Sequence, residues 1–456
     1  MGGIVGREAF PGPVPYPNLY QTISDEGNDD EDDKLVKGTG ITDDDKLERQ
    51  QELMDHIDKL ALRRQQLPTA AAVTDVGSFF LDVTRLENLC LVASYLGVGF
   101  ALYFTGTPVS YYLVEDLDAS STQVSIMSTL TSLPWSFKIF YGLLSDGVPI
   151  AGYRRKPYLL LGWLIYIIGN FVLVFEGTPG IYQTIIWTFI QTCGLLMADV
   201  ATDTLCVERA RLETDESRGT LQSLGYTYRA VGMVIGAVGG TILYNKDSWG
   251  WGLTIAQIFF ANGFFPCILV LPLTFPLIEL ASNVPTPDWQ TQWTSVWETL
   301  QLKAVWQPMI FIYVYNVMQV PNSAWYNFLV DGLDFSNFEL GLLTISSAVM
   351  TWLGLVAYKK YLFNASWRYI YILTTALGVF FSILQLLLVY QINVEIGIPD
   401  VVFALGDNTI ASFVAALQYM PTCIMYVILC PEGSEGTTYA LLTTISNLAG
   451  VRRSAI

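Results

Sequence analysis

Histidine is almost missing from these 456 residues: the one present is His56. Cysteine is scarce too, six in all, and Cys90, Cys193, Cys206, Cys267 and Cys423 lie inside apolar runs with no paired spacing. Neither a disulfide framework nor a His/Cys metal centre fits that pattern. No nucleophile with its base, metal cluster or phosphate loop points to an enzyme, and nothing asks for a cofactor. Charge is the third shortage. Only 14% of the residues are Asp, Glu, Lys or Arg against 52% hydrophobic, with a mean hydropathy of +0.41, too apolar for an ordinary soluble protein. Lys and Arg number 24 against 41 Asp and Glu, a formal charge of −17. Such a chain repels nucleic acid, whose phosphates are bound through Lys and Arg. What remains is an all-α polytopic membrane protein in contact with lipid.

The charge that exists is unevenly placed. Residues 1–85 hold 17 of the acids and 9 of the bases, with Pro11, Pro13, Pro15 and Pro17 followed by an acidic run from Ser24 to Asp33. That segment cannot bury enough surface to order and reads as a largely disordered cytoplasmic tail. Within it, apolar residues at helical spacing between Asp45 and Leu67 allow a short amphipathic helix. From Leu86 onward, apolar windows long enough to cross about 30 Å of hydrocarbon recur near 88–112, 121–144, 157–175, 181–206, 219–243, 251–275, 308–330, 338–358, 369–391 and 402–430, ten spans in all. An eleventh starts near Thr437 and ends at Val451, ahead of Arg452 and Arg453; about 14 residues of helix reach only about 21 Å, so the segment is expected not to cross and the second half to be truncated.

The layout predicts a six-span half over 86–276, a cytoplasmic linker over 277–306, and an incomplete second half over 307–456. The linker carries Trp289, Trp293, Trp297 and Trp306 and reads as an interfacial helix. A weak echo links the halves: Glu208 then Arg218-Gly219-Thr220 after span four, Glu432 then Glu435-Gly436-Thr437 after span ten. Parallel six-span halves are the plan of the major facilitator architecture. With the tail inside, loops on that side hold Arg154, Arg155, Lys156, Arg209, Arg211, Arg218, Lys303, Lys359, Lys360 and Arg368, and the opposite side only Lys246. This bias predicts a cytoplasmic N-terminus in a plasma or organelle membrane. The other face carries Glu115, Asp116, Asp118, Asp247, Asp331 and Asp334 instead.

Two sets of residues carry chemistry. Gly142, Asp146, Gly152, Arg154, Arg155 and Lys156 have the spacing of the cytoplasmic loop motif of the major facilitator superfamily, and Glu208, Arg218 and Gly219 supply the sequence such latches pair with. Carboxylates and guanidinium groups there can lock helix ends in one transport state and release them in another; equally, the cations can be topology residues alone. The second set is ionisable groups inside spans, which are costly at the bilayer centre. Lys138, Asp199, Asp203 and Arg229 fall at similar depth in spans two, four and five. They form either a structural salt-bridge cluster or a polar cavity, in which Arg229 or Lys138 receives an anion and an aspartate exchanges protons. The second half offers no such cluster. Asp407 lies near the outer end of span ten, with neutral groups such as Asn316, Gln319, Asn322, Gln385, Gln418, Trp325, Tyr326 and Tyr419. Gly232, Gly236, Gly239 and Gly240 read as close helix packing.

The run from Pro134-Trp135-Ser136-Phe137-Lys138 to Asp146, continuing through Gly152-Tyr153-Arg154-Arg155-Lys156-Pro157-Tyr158, resembles the signature of the folate-biopterin transporter family. So do Asp199-Val200-Ala201-Thr202-Asp203, Val207-Glu208-Arg209-Ala210-Arg211, Ser217-Arg218-Gly219, Leu405-Gly406-Asp407 and Cys430-Pro431-Glu432-Gly433. The resemblance implies a proton-linked carrier of folates or pterins by symport. It places candidate substrate or coupling roles on Lys138, Asp199, Asp203, Arg229 and Asp407. A pterin stacks on aromatics and a glutamate tail needs cations, which Arg229 and Lys138 supply. Two other readings stay open: a carrier of another organic anion, and a transport-inactive truncated paralogue or partner subunit.

Overall fold

The computed structural model describes residues 80–456 apart from 215, 216, 218, 246–249, 280–288, 302, 319–331, 334, 364, 431–434 and 455–456. The acidic tail, its amphipathic segment, Arg218, Lys246, Asp247, Gln319, Asn322, Trp325, Tyr326, Asp331, Asp334 and Glu432 lie outside the described residues. Helices make up the fold; among the described residues the one strand-like feature is an isolated bridge between Ile150 and Tyr153.

The first half comprises α1 (Leu86–Phe104) and α2 (Gly106–Tyr111), then α3 (Ser121–Ser132) and α4 (Lys138–Gly147). It continues with α5 (Lys156–Glu176), α6 (Ile181–Ala210), α7 (Thr220–Leu243) and α8 (Ile255–Thr274). After α9 (Trp289–Gln301), the linker helix, come α10 (Lys303–Met318), α11 (Asn337–Ala357), α12 (Trp367–Val389) and the short α13 (Ile392–Glu395). The chain ends with α14 (Asp400–Leu429) and α15 (Glu435–Ser454). Several starts are marked by hydroxyl caps: Ser120, Thr254 and Ser336 each accept from the amide three residues on, while Gln123, Gln257 and Glu339 reach back.

Seven helical stretches among the described residues are long and apolar enough to cross a membrane, against ten expected. One reason is local. The second span, read as continuous over 121–144, is broken into α3 and α4 by a 3-10 turn at Leu133–Phe137. Pro134 within that turn has no amide to donate and its ring opposes the preceding helical turn, and the Thr131 hydroxyl donates back to the Met127 carbonyl at 2.9 Å. At the other end, α15 runs for 20 residues, longer than the segment expected there.

Buried apolar residues of α1, α5, α6 and α8 form the first-half core around Trp163, Tyr95 and Leu159. The contact of α1 with α7 is closer still, since a methyl group on Gly99 would lie 1.9 Å from the Arg229 carbonyl oxygen and one on Gly232 2.0 Å from that of Leu96. Only glycine permits backbones this near. Two further clusters join the halves: Val207 and Ala210 pack with Met309, Tyr426, Tyr439 and Leu442, and Tyr226 and Ala230 with Leu355, Leu417 and Met420.

Candidate functional site

Asp199 and Asp203 lie four residues apart on α6 and so share one face. Opposite them stand Lys138, the first residue after the break in span two, and Arg229 on α7. The Lys138 ammonium is 2.6 Å from Asp199 Oδ2 and 3.8 Å from Asp203 Oδ2, and Arg229 Nη1 is 2.9 Å from Asp199 Oδ1. The Tyr95 hydroxyl donates to Asp203 Oδ1 at 2.9 Å. All four ionisable groups are buried, between 0% and 9% exposed. Their formal charges cancel, which is what lets them share so dry a place.

Aromatic rings border the cluster. Trp135, within the 3-10 turn, has the Lys138 ammonium 4.8 Å and the Arg229 guanidinium 5.8 Å from its ring centre. Arg229 also lies 5.6 Å from the Tyr226 ring, which meets Tyr95 at 5.7 Å and, edge-on, Tyr419 of α14 at 5.2 Å. The half-exposed Tyr419 belongs to the second half, so one ring from that half joins the aromatic border of the cluster. The break that sequence reading missed is what turns Trp135 and Lys138 into this site, and Pro134 inside an apolar window was its signal. A small apolar cleft between α10, α12 and α14, lined by Phe311, Trp367, Tyr371 and Pro421, has no charged lining residue and takes no part in the cluster.

A second cluster lies where α4 ends. Arg155 Nη2 is 2.6 Å from Asp146 Oδ1 and 2.8 Å from Glu208 Oε1, while Nη1 donates to Ser145 Oγ at 2.8 Å. Burial works against the Arg155 charge, yet the Glu208 and Asp146 carboxylates outweigh it and hold the proton more tightly than in an ordinary arginine. Asp146 Oδ2 accepts from both the amide and the hydroxyl of Thr437, 2.6 Å each, at the first turn of α15. A carboxylate there meets unpaired amides and the positive end of the helix dipole. Close approach is possible because glycines meet: a methyl on Gly142 would lie 2.5 Å from the Gly436 carbonyl oxygen. Arg211 Nη1 adds an ion pair to Glu435 at 2.6 Å. This end of α4 is clamped to α15, whereas none of the residues 122–132 of α3, beyond the break, is buried.

Gly219 opens α7 in a left-handed conformation, φ 91°, its amide donating to Glu213 Oε2 at 2.6 Å; Glu213 Oε1 takes the Leu221 amide. Glu279 accepts from the backbone amides of Arg154, Arg155 and Lys156, capping α5. Neither glutamate is evident as a partner in the sequence, because a capping anion can come from anywhere along the chain. Asp407 lies on α14, its side chain outside the described residues. Thus Lys138, Asp199, Asp203 and Arg229 come together, and separately Gly142, Asp146, Arg155 and Glu208.

A sequence profile described as the BT1 family matches residues 98–456. A protein named folate-biopterin transporter, from Synechocystis sp., is 30% identical over 367 residues, covering 80% of this chain and 72% of its own. Among solved structures, a D-xylose-proton symporter superposes with a TM-score of 0.57 at 16% identity, over 80% of this chain and 88% of the other. A major facilitator superfamily transporter in its outward conformation does so with 0.55 at 12%, over 80% and 89%.

Proposed function

Because this chain belongs to the BT1 family and is a multi-pass membrane transporter of major facilitator fold, we propose that it is a secondary active carrier of folate- or pterin-type substrates, driven by protons and working by alternating access. The observation that carries the reading is the buried quartet of Lys138, Asp199, Asp203 and Arg229 beside Trp135 and Tyr226. A charge at mid-span costs about 2.5–3.5 kcal/mol or more, so four of them are a poor choice for holding helices together when apolar packing would serve. A flat heteroaromatic ring has Trp135 and the half-exposed Tyr419 to stack on, and a carboxylate of the same molecule has Arg229 and Lys138 within reach. The Synechocystis relative's name supports this substrate class.

The clamp of Asp146 and Arg155 on α15 supplies the conformational half of the mechanism. It fastens the end of α4 to the first turn of α15, and the Lys and Arg bias of the loops favours that end as the cytoplasmic one. In this reading the structure is closed to the cytoplasm, and transport requires Asp146 to let go of Thr437 so that α4 and α15 part.

The test is uptake of radiolabelled folic acid by cells or vesicles bearing the protein, with unlabelled biopterin, folates and unrelated organic anions as competitors. Folates and pterins should compete. Arg229→Ala should lower uptake about 30-fold or more at equal surface protein, since truncating one member of a buried charge pair costs about 2–5 kcal/mol. Competition only by unrelated anions would move the protein to another substrate class; unchanged uptake in Arg229→Ala would remove the site.

A further inference from the structure

We propose that Asp203 is the group that takes up and releases the transported proton, while Asp199 is a fixed counter-ion; this rests on the proton-driven carrier reading above. The two carboxylates sit one turn apart on α6, yet their surroundings differ. Asp199 has a charged donor on each oxygen, Lys138 at 2.6 Å and Arg229 at 2.9 Å. Asp203 has one neutral donor, the Tyr95 hydroxyl on Oδ1, and its buried Oδ2 has no hydrogen-bond donor. The nearest cation to that oxygen, Lys138, stands 3.8 Å away and is already engaged with Asp199.

The groups facing Asp203 come from every helix around it: Tyr95 from α1, Lys138 from α4, Arg229 and Tyr226 from α7, Cys423 from α14 and Tyr439 from α15, with Asp199 and Cys206 on α6 itself. Phenols and thiols add no charge at neutral pH. The electrostatics therefore reduce to two cations and two carboxylates, a sum of zero. When a proton binds Oδ2 of Asp203, an O–H bond forms and the sum becomes a single positive charge. A substrate carboxylate restores neutrality, with Lys138 turning from Asp199 to serve it while Arg229 keeps Asp199. Loss of the proton from Oδ2 to water on the far side then leaves one net negative charge until the carboxylate follows.

This gives coupling a physical basis. The empty deprotonated site and the site holding both proton and carboxylate are neutral; the site holding either one alone carries a buried unit charge. Burying an unbalanced charge costs several kcal/mol, so closure of the halves is permitted to the two neutral forms and the half-loaded forms are excluded. The ligand class follows: folate rather than an unconjugated pterin such as biopterin, because the transported molecule must present a carboxylate to the quartet beside its flat ring.

The experiment uses purified full-length protein in liposomes with radiolabelled folic acid as the probe, and separates exchange from net transport. Counterflow needs no net proton movement; accumulation under an imposed inside-alkaline gradient does. Asp203→Asn should retain measurable counterflow that no longer varies with pH, and lose gradient-driven accumulation completely. Asp199→Asn should lose counterflow as well, because Lys138 and Arg229 are left without their shared counter-ion. Tyr95→Phe, which removes the donor on Oδ1 and leaves the carboxylate, should retain counterflow and displace the pH dependence of accumulation. Gradient-driven accumulation by Asp203→Asn would overturn the proposal, as would loss of counterflow in that variant at an unchanged melting temperature. A different pattern, no counterflow of folic acid or biopterin by the unsubstituted protein, would overturn the carrier reading itself.

Discussion

Replacing Gly142 by alanine should release the clamped end of the protein without weakening its fold. The added methyl would lie 2.5 Å from the Gly436 carbonyl oxygen, 2.8 Å from its carbon and 2.9 Å from the Ala440 methyl. Ordinary contact needs roughly 1 Å more than the shortest of these, and the neighbours are two backbone atoms and a Cβ methyl, none of which can rotate aside. Overpacking of this kind costs about 1–3 kcal/mol, a shift of about 5- to 150-fold in a two-state equilibrium. The strain falls on a contact between α4 and α15, helices on opposite sides of the linker, so the molecule can relieve it by parting them.

Gly99→Ala is the control. Its methyl would meet the Arg229 carbonyl oxygen at 1.9 Å, but α1 and α7 belong to the same half and have no second arrangement to escape to. A reporter is available in Thr438, buried on α15. In a background without the native cysteines, a Thr438→Cys variant should react with a soluble maleimide about 5- to 150-fold faster when Gly142→Ala is added, at nearly the same melting temperature. Gly99→Ala should lower the melting temperature and leave labelling of the folded protein unchanged. Equal labelling with and without Gly142→Ala would refute the idea that α4 and α15 separate, and equal loss of stability in both variants would show their contact to be permanent.

Two further outcomes follow from the packing. Arg155→Lys keeps the charge and loses the fork that reaches Asp146, Glu208 and Ser145 together; giving up a charge-assisted hydrogen bond costs about 1.5–3 kcal/mol, and maleimide labelling at Thr438→Cys should rise with it, whereas a wild-type labelling rate would mean that the fork does not hold the clamp. Asn262 donates to the Tyr166 hydroxyl at 2.7 Å and to Asn170 Oδ1 at 2.8 Å, so Asn262→Ala should lower thermal stability of the purified protein by about 1–3 kcal/mol, the range for stranding buried acceptors in a membrane interior, without changing folic acid counterflow below the melting range; an unaltered melting curve would place the polar contact between α5 and α8 outside the stability of the fold.

Much of the site was legible because a charge in an apolar window is a local anomaly. Lys138, Asp199, Asp203 and Arg229 each interrupt a run that lipid or packing would otherwise fill, and the four-residue spacing of the aspartates already fixed a common face. Asp146 and Arg155 were legible by their motif spacing. The partners that complete these clusters were not. Tyr95 reads as one more aromatic in an apolar helix, and Glu279 caps a helix whose first residue lies 123 positions earlier. Thr437 became a partner only once α15 had been placed against α4; the echo between Arg218-Gly219-Thr220 and Glu435-Gly436-Thr437 marked the segment without saying what it touches. The break at Leu133–Phe137 was hidden for a different reason: hydropathy averages over a window, and one proline among apolar neighbours hardly alters the average while removing a backbone donor.

All four members of the quartet are carried by α4, α6 and α7, helices of one half. Whatever rotation that half undergoes, the quartet moves as a set whose charges cancel. A unit charge crossing the full membrane field exchanges about 2.3 kcal/mol with each 100 mV, and a set that sums to zero exchanges almost nothing. Return of the empty protein should therefore be a silent step electrically, with no transient current after a voltage jump in the absence of substrate, and the cell's resting potential should leave its rate alone.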